Sequence, residues 1–426
     1  MKNLKIGSTG TLVELLQSIL KKIGFYHANI DGIFGMQTQL AVIEFQKSAG
    51  LTADGIVGHS TWNSLRPYMN GYDWYTMRAG DSVYNIAQQY DTTVERILTA
   101  NPGIDVYNLL INQKLIIPFG NIIATDISYP YNILKMNIRA LCMIYPFLEV
   151  GSIGTSELCK DIPYIRIGRG SKEVFYNASF HANEWITTSV LMKFIENFSK
   201  AYANNSAIYN YDARKIFNEV SIYIVPMVNP DGVDLVTGDL TQGMPAYEHA
   251  AEIAKEYPWL PFPDGWKANI KGTDLNSNYP ANWERAREIK FARGYIGPAP
   301  RDYVGPNPLS ASESKAVYEF TLAHDFSLAL AYHTQGRVIY WQYLDYMPPQ
   351  SHYIGTRLSE SSGYPLEETP YESGMAGYKD WFIQEYNRPA YTIEAGIGVN
   401  PLPISQFDTI YEENEGMLVL AAVLAP

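Results

Sequence analysis

From about Thr125 onward, short apolar runs alternate with stretches whose apolar residues recur at helical spacing, which predicts an α/β domain built on a mixed sheet. "KEVFYNASF" (172–180) reads as a strand and "ITTSVLMKFIENFSKAYA" (186–203) as a helix after it. "VSIYIVPMV" (220–228) is apolar at nearly every position, the pattern of a strand buried on both faces. "SLALAY" (327–332) follows a helix opened by the capping box Ser310-x-x-Glu313, and "PAYTI" (389–393) follows the helical "YKDWFIQEY". Polar residues stand where these strands end: His181 after the first, His333 after "SLALAY", Glu394 after "PAYTI". Ligands of open α/β sheets collect at the carboxyl ends of strands, so three separate segments are expected to deliver these side chains into one crevice.

The first 68 residues carry a different pattern, an internal echo between "DGIFGMQTQLAVIEFQ" from Asp31 and "DGIVGHSTWNSL" from Asp54. Each copy reads as an Asp-Gly turn, a second glycine and a threonine, Thr38 or Thr61, placed to cap a helix. "RPYMNGYDW" (66–74) then reads as a linker. Residues 75–118 predict a strand, a helix started by Gly-Asp-Ser, a second short helix and a closing apolar strand that stops at a proline. Three segments are therefore expected: 1–68, 73–119 and 125–426.

Composition adds limits. The 426 residues are long enough for two to four domains, and 46% hydrophobic with 18% charged content is ordinary for a folded chain. Thirty-three tyrosines suit carbohydrate or peptide contact surfaces. With a formal net charge of -12 and no block of lysine or arginine, nothing supplies the counterion release that nucleic-acid binding draws on, and nucleic acid is not expected as a partner. Two cysteines without CxxC spacing, Cys142 and Cys159, imply neither a disulfide framework nor a zinc knuckle. The start "MKNLKIGSTGTLVELL" lacks the layout of a secretion signal, and no apolar run is long enough to span a membrane. Synthesis in the cytoplasm without a signal peptide, and no membrane partner, are the corresponding expectations.

The chemistry centres on His181-x-x-Glu184. Alone, this spacing fits two polar residues at a strand end as well as half of a metal site. Catalytic zinc commonly takes two histidines and one glutamate and keeps a position open for water, and His333 completes that set.

Three family resemblances bear on the choice. Gly10, "LLQSILKKIGFY", "DGIFG", Thr38, "AVIEFQ", "GLTADGIVG" and "TWNSL" resemble the peptidoglycan-binding domain of bacterial wall hydrolases, a three-helix unit. "GDSVYNIAQQY", "ILTANP" and "INQKLIIP" are similar to a LysM domain, a βααβ module that binds N-acetylglucosamine-containing glycans. "HANEW", "NPDGVDL", "KGTDLNSNYP", "AYHTQG" and "YTIEAG" occur in the order of the zinc carboxypeptidase family, and the whole chain looks most like its γ-D-glutamyl-L-diamino acid endopeptidases. The fold this implies is a carboxypeptidase-like mixed sheet of eight-stranded type, flanked by helices and preceded by the two small modules. The implied partner is peptidoglycan, through its glycan and its stem peptides, with action at the cell wall or a spore.

Carried over residue by residue, the resemblance implies one Zn2+ per chain on His181, Glu184 and His333, with Glu394 as general base. Lys267 lies where the family usually has an arginine that steadies the oxyanion; a lysine brings a point charge instead of a planar fork, or is simply a solvated side chain. Tyr371 aligns with a substrate-contacting tyrosine, across one extra residue before Asp380. Exopeptidases of the family hold the terminal carboxylate with an arginine after the asparagine of "DLNRN", whereas Asn276 is followed here by Ser277, and another familiar arginine is Asn183. An internal amide, the γ-D-Glu to diaminopimelate bond, is therefore the expected target, its carboxylates read by Arg337 or Arg301. A C-terminal carboxypeptidase and an inactive wall-binding protein are the alternatives.

Overall fold

Each Asp-Gly corner of the N-terminal repeat closes on a buried glutamine. In the computed structural model, which describes residues 1–426, the three helices there are α1 (Thr11–Lys22), α2 (Met36–Ser48) and α3 (His59–Asn70). Gln17 of α1 donates to Asp31 Oδ1 (2.7 Å), Ile33 O (3.2 Å) and Thr38 Oγ1 (3.1 Å), and accepts from the Gly32 N–H (3.0 Å). Gln46 of α2 repeats the set on Asp54 (2.9 Å), Ile56 (3.0 Å), Thr61 (3.1 Å) and Gly55 (2.9 Å). The echo in sequence is thus one hydrogen-bonded device used twice. It also corrects the expected caps: the helices start at Gly35 and Gly58 without a side-chain cap, and both threonine hydroxyls turn inward, because a buried amide without acceptors is costly.

The expected linker is not a loop. Helix α3 continues through Pro67 to Asn70, and Gly71 alone, at φ +72°, separates it from β1 (Tyr72–Thr76). Strand β1 pairs antiparallel with β2 (Lys114–Pro118), and between them lie α4 (Val83–Gln89) and α5 (Val94–Ala100). Ser82 and Thr93 cap these helices by accepting from the Asn85 and Arg96 N–H groups, as the Gly-Asp-Ser signal anticipates for the first.

The chain packs as two compact units: Met1–Ser128 with Asn132–Leu148 and Phe198–Ser206, and Tyr129–Tyr131 with Glu149–Asn197 and Ala207–Pro426. Beyond β2 the elements are α6 (Tyr131–Ile144), β3 (Glu149–Thr155), β4 (Asp161–Ile167), β5 (Lys172–Ala178), α7 (Ile186–Ala203), the ribbon β6 (Ala207–Ile208) and β7 (Tyr211–Asp212), α8 (Ala213–Glu219), β8 (Val220–Val225), α9 (Pro230–Val236), α10 (Pro245–Lys255), α11 (Trp283–Ala292), α12 (Ser312–Leu322), β9 (Phe326–His333), β10 (Val338–Tyr340), α13 (Ser351–Ser362), β11 (Leu366–Glu367), α14 (Tyr378–Tyr386), β12 (Ala390–Glu394) and α15 (Phe407–Leu424).

Eight strands form one mixed sheet in the order β11-β10-β12-β9-β5-β8-β4-β3, with the central four, β12, β9, β5 and β8, mutually parallel. Both faces are covered. Phe175 packs with Val317 of α12 and Tyr378 and Trp381 of α14, while on the opposite face the Tyr176 hydroxyl donates to Leu418 O of α15 (2.8 Å). Helices on both sides explain why all six residues of β8 are buried. The strand ends at Val225, and the apolar run continues as buried irregular chain through Val228.

One expected helix start is wrong. Helix α12 begins after Ala311 with no side-chain cap; Ser310 Oγ instead accepts from Asn278 Nδ2 (3.1 Å), and Glu313 turns into the core. A buried asparagine in need of acceptors claims the serine. No helix is long and apolar enough to cross a membrane, and both cysteines are free.

Candidate active site

The parallel register sets the site. Glu394, the last residue of β12, is the pairing partner of His333, the last residue of β9, and β5 beside β9 ends at Ala178 opposite Tyr332. Three residues further on is His181, where the chain turns through Ala182–Glu184 as a single 3-10 turn into α7. Hydroxyls hold that turn. Ser179 N–H donates to Thr187 Oγ1 (3.2 Å), Thr187 Oγ1 donates to Glu184 O (2.7 Å), and Thr188 Oγ1 donates to Pro226 O (2.6 Å).

Asn229, fully buried, bonds the turn to the next segment: its amide donates to Phe180 O (3.1 Å) and Ala268 O (3.0 Å), and its carbonyl accepts from Gly232 N–H (3.0 Å). Gly232 has to lack a side chain, because a Cβ there would lie 2.7 Å from the Asn229 amide and 2.8 Å from Ala182 Cβ. This is the structural content of "NPDGVDL".

His181, Glu184 and His333 converge with their ligand atoms all within 4.8 Å of one another, and each is buried. His181 Nδ1 lies 2.9 Å from Glu184 Oε1, His333 Nδ1 lies 3.0 Å from Glu184 Oε2, and the two Nδ1 atoms are 3.2 Å apart. Four ligands about 2.1 Å from a zinc ion stand at tetrahedron edges of about 3.4 Å, close to these separations. Asp274 Oδ1 faces the other ring nitrogen of His181, Nε2, at 3.3 Å, which directs its proton there and leaves Nδ1 as a lone pair aimed inward. Lone pairs crowded together in a buried pocket fit a cation at their centre, so these residues can hold a metal ion.

The charges favour positive charge at this point, a proton on His181 Nδ1 or a cation that displaces it. Burial opposes protonation of His181, yet Glu184 and Asp274 outweigh it and raise its pKa to about 9. Burial likewise opposes the Glu184 charge, and His181 and Lys267 hold it well below the usual carboxylate range. Glu394 is pushed up to about 8 by burial and then by the Glu184 charge, against Lys267 and His181. A bound cation would pull Glu394 back toward the ionised form.

Two cavities meet here. One, of about 170 Å³, holds His181, Asn276, Ser277, Lys379 and Asp380. The other, of about 500 Å³, holds Asn183, Thr334, Gln335, Val399 and Asn400. Lys267, Arg301, Tyr340, Ser373 and Glu394 line both. A separate groove of about 380 Å³ beside α1 and α3 gathers no such cluster.

Lys267 is no solvated surface lysine: its Nζ lies 3.1 Å from Glu184 Oε1 and its side chain is 18% exposed. Asn276 lines the smaller cavity with Nδ2 3.3 Å from His333 Nε2, its carbonyl accepting from Tyr378 N–H (3.0 Å), and Ser277 is beside it. Two expected residues stand apart. Tyr371 is 58% exposed, lines neither cavity and faces Arg285. Arg337 turns away to pair with Glu413 (2.6 Å) and lie over the Tyr364 ring, so the expectation that it reads a substrate carboxylate is not met in this structure. Sequence reasoning passed over Asp274, although it sits two positions before Asn276 in the quoted "DLNSN", and Asn400, whose amide donates to Thr334 O (3.0 Å) and approaches Glu184 Oε1 (3.4 Å).

Sheet order, the His-Glu-His cluster and a carboxylate on the neighbouring strand define a metallopeptidase of carboxypeptidase architecture. The zinc carboxypeptidase family model matches residues 136–416, and the chain belongs to that family. Models of a peptidoglycan binding domain and a LysM domain match residues 9–65 and 75–118, which makes it a peptidoglycan-targeting member. It is 44% identical over 300 residues to gamma-D-glutamyl-L-diamino acid endopeptidase 1 of Lysinibacillus sphaericus, covering 70% of this chain and 73% of that one. In fold it is similar to the thrombin activatable fibrinolysis inhibitor (TM-score 0.54, 15% identity, 83% of this chain and 98% of that one) and to carboxypeptidase A from Helicoverpa armigera (TM-score 0.52, 16% identity, 99% and 97%).

Proposed function

We propose that the protein is a zinc-dependent endopeptidase that hydrolyses the γ-D-glutamyl to meso-diaminopimelate amide of peptidoglycan stem peptides. His181, Glu184 and His333 would hold the zinc, which when bound polarises the scissile carbonyl and acidifies a water. Glu394, drawn toward its ionised form by the cation, would take the proton of that water and return it to the leaving amine. Lys267, fixed by its ion pair to Glu184, places positive charge where the oxyanion grows. Asn276 and Ser277, which line the smaller cavity, would face the bound substrate there.

The observation that carries the reading is Ser277. It stands in the cavity where an exopeptidase needs an arginine for the terminal carboxylate, and Lys379, also there, is already engaged by Asp380 (2.6 Å), Gln342 O (2.7 Å) and Thr369 Oγ1 (3.0 Å). The similarity to the Lysinibacillus endopeptidase supports the same bond. The two N-terminal modules would hold the enzyme on an insoluble wall, where tethering raises effective concentration. Incubation with L-Ala-γ-D-Glu-diaminopimelate peptides, followed by mass spectrometry, should show L-Ala-D-Glu released by the parent protein and not by Glu394→Gln. Stepwise loss of C-terminal residues from ordinary peptides would sink the assignment in favour of a carboxypeptidase. A zinc-loaded protein that binds wall and cleaves nothing would be a pure binder.

A further inference from the structure

The two cavities share a cation that the chemistry above leaves unused. Arg301 lines both, at the junction that also holds Lys267 and Glu394. Its placement is rigid. The carbonyl of the preceding residue, Pro300, accepts from the N–H groups of Lys267 (2.7 Å) and Ala268 (2.9 Å), and the N–H of the following residue donates to Oδ2 of Asp274 (3.0 Å), the carboxylate that faces His181. The backbone on either side of Arg301 is thus bonded to the segments that carry Lys267 and Asp274.

The charge pairing around the junction is uneven. Lys267 is taken by Glu184 and Lys379 by Asp380. Asp302 alone serves two cations, Lys290 and Arg301, the latter through Nε only (2.6 Å to Oδ2). The two terminal nitrogens of Arg301 meet no protein acceptor, and its side chain keeps 40% of its surface exposed. A guanidinium held by Nε with Nη1 and Nη2 free presents a planar fork, the geometry that grips a carboxylate through two parallel hydrogen bonds.

We infer that Arg301 is a specificity-determining residue that binds a carboxylate of the substrate flanking the scissile amide. The inference rests on the proposed reaction, whose substrate carries two such groups: the α-carboxylate of the γ-linked glutamyl residue and a carboxylate of the diamino acid. Ser277 brings no positive charge to either group, and Arg301, which lines the same cavity, supplies it.

Calorimetric titration in the Glu394→Gln background tests this without relying on turnover. The probes are L-Ala-γ-D-Glu-diaminopimelate, its α-amidated isoglutaminyl form and a form amidated on both carboxylates of the diamino acid, each bound to Glu394→Gln and to Glu394→Gln/Arg301→Gln. Loss of a bidentate charged contact should weaken the parent peptide roughly 10- to 100-fold. For whichever amidated form lacks the recognised carboxylate the loss should shrink to near 1, which names the source. Arg301→Lys, which keeps the charge and the pairing with Asp302 but not the fork, should fall between, and serves if the glutamine variant melts early. Equal losses on all three peptides, or none, would overturn the inference, as would failure of all three to bind. Cleavage by the parent protein is read separately: if no peptide is cut yet the pattern of binding holds, the proposed reaction fails and the carboxylate site stands.

Discussion

Glu313 allows a prediction that depends on neither metal nor substrate. Its side chain is fully buried on α12, where Oε1 accepts from Glu157 N–H (3.2 Å) and Oε2 from Asn269 Nδ2 (3.1 Å), and no cation touches it. Burial first, and then the charge of Glu157, lift its pKa from 4.5 to about 7. The folded value lies above the unfolded one, so between pH 4.5 and 7 the native state binds more protons than the unfolded state, and stability falls as pH rises through that window. Fully developed, a shift of that size amounts to about 3 kcal/mol at 1.36 kcal/mol per pH unit. Glu313→Gln removes the titration but turns one accepting oxygen into a donor facing another donor, a loss of about 1 kcal/mol at every pH. The variant should therefore be less stable than the parent at pH 4.5 and more stable by about 2 kcal/mol at pH 7.5, with the curves crossing between about pH 5 and 6. Urea midpoints followed by near-ultraviolet circular dichroism across pH 4 to 8 measure this. A difference between variant and parent that stays constant with pH would show that Glu313 ionises in the native state as it does in water, and the reasoning from burial would be refuted.

Two further outcomes follow from the contacts. Asp274→Asn should weaken zinc binding by about 10- to 100-fold in a chelator competition, because an amide cannot both hold the His181 Nε2 proton and accept from Asn276 and Asp302 N–H groups; unchanged affinity would remove Asp274 from the orienting role. Gln17→Ala should strip exchange protection from the Asp31 and Gly32 amides and cost the first helical module about 2 to 4 kcal/mol, and persistence of that protection would mean the glutamine network is incidental.

Much of the architecture is legible in the sequence because it rests on periodicity. The runs ending at His181, His333 and Glu394 are short and apolar, and each precedes or follows a strongly helical stretch, so their ends can be aligned without knowing the strand order. The order itself, with β12 beside β9 beside β5, comes from long-range pairing that no local pattern encodes. Cap positions failed for a common reason. Thr38, Thr61 and Ser310 all look like helix starts, yet in each case a buried amide, on Gln17, Gln46 or Asn278, takes the hydroxyl. Local capping competes with the need to satisfy a buried polar group, and that need appears only once the helices are packed.

The two arginines show the same limit at the site. Arg337 stands four residues after His333 in sequence, and proximity along the chain made it a natural candidate for the substrate's carboxylates. After the turn its backbone adopts φ +52°, and the side chain pairs with Glu413, on α15. Arg301, by contrast, is 120 residues from His181 in the chain and follows a proline-rich loop with no periodicity to place it. It reaches the junction only because the Pro300 carbonyl bonds two consecutive N–H groups of the segment bearing Lys267, and because the Asp302 N–H reaches Asp274. Charge type was therefore readable and position was not: a site that needs a fixed cation takes it from whichever segment the backbone hydrogen bonds bring alongside. The Asp274 carboxylate sits at the centre of this arrangement, since one oxygen faces His181 and the other accepts from the residue after Arg301. Metal-ligand orientation and the placement of the free guanidinium are thereby set by one side chain, so a substitution at Asp274 should disturb zinc affinity and carboxylate recognition together, whereas one at Arg301 should disturb only the second.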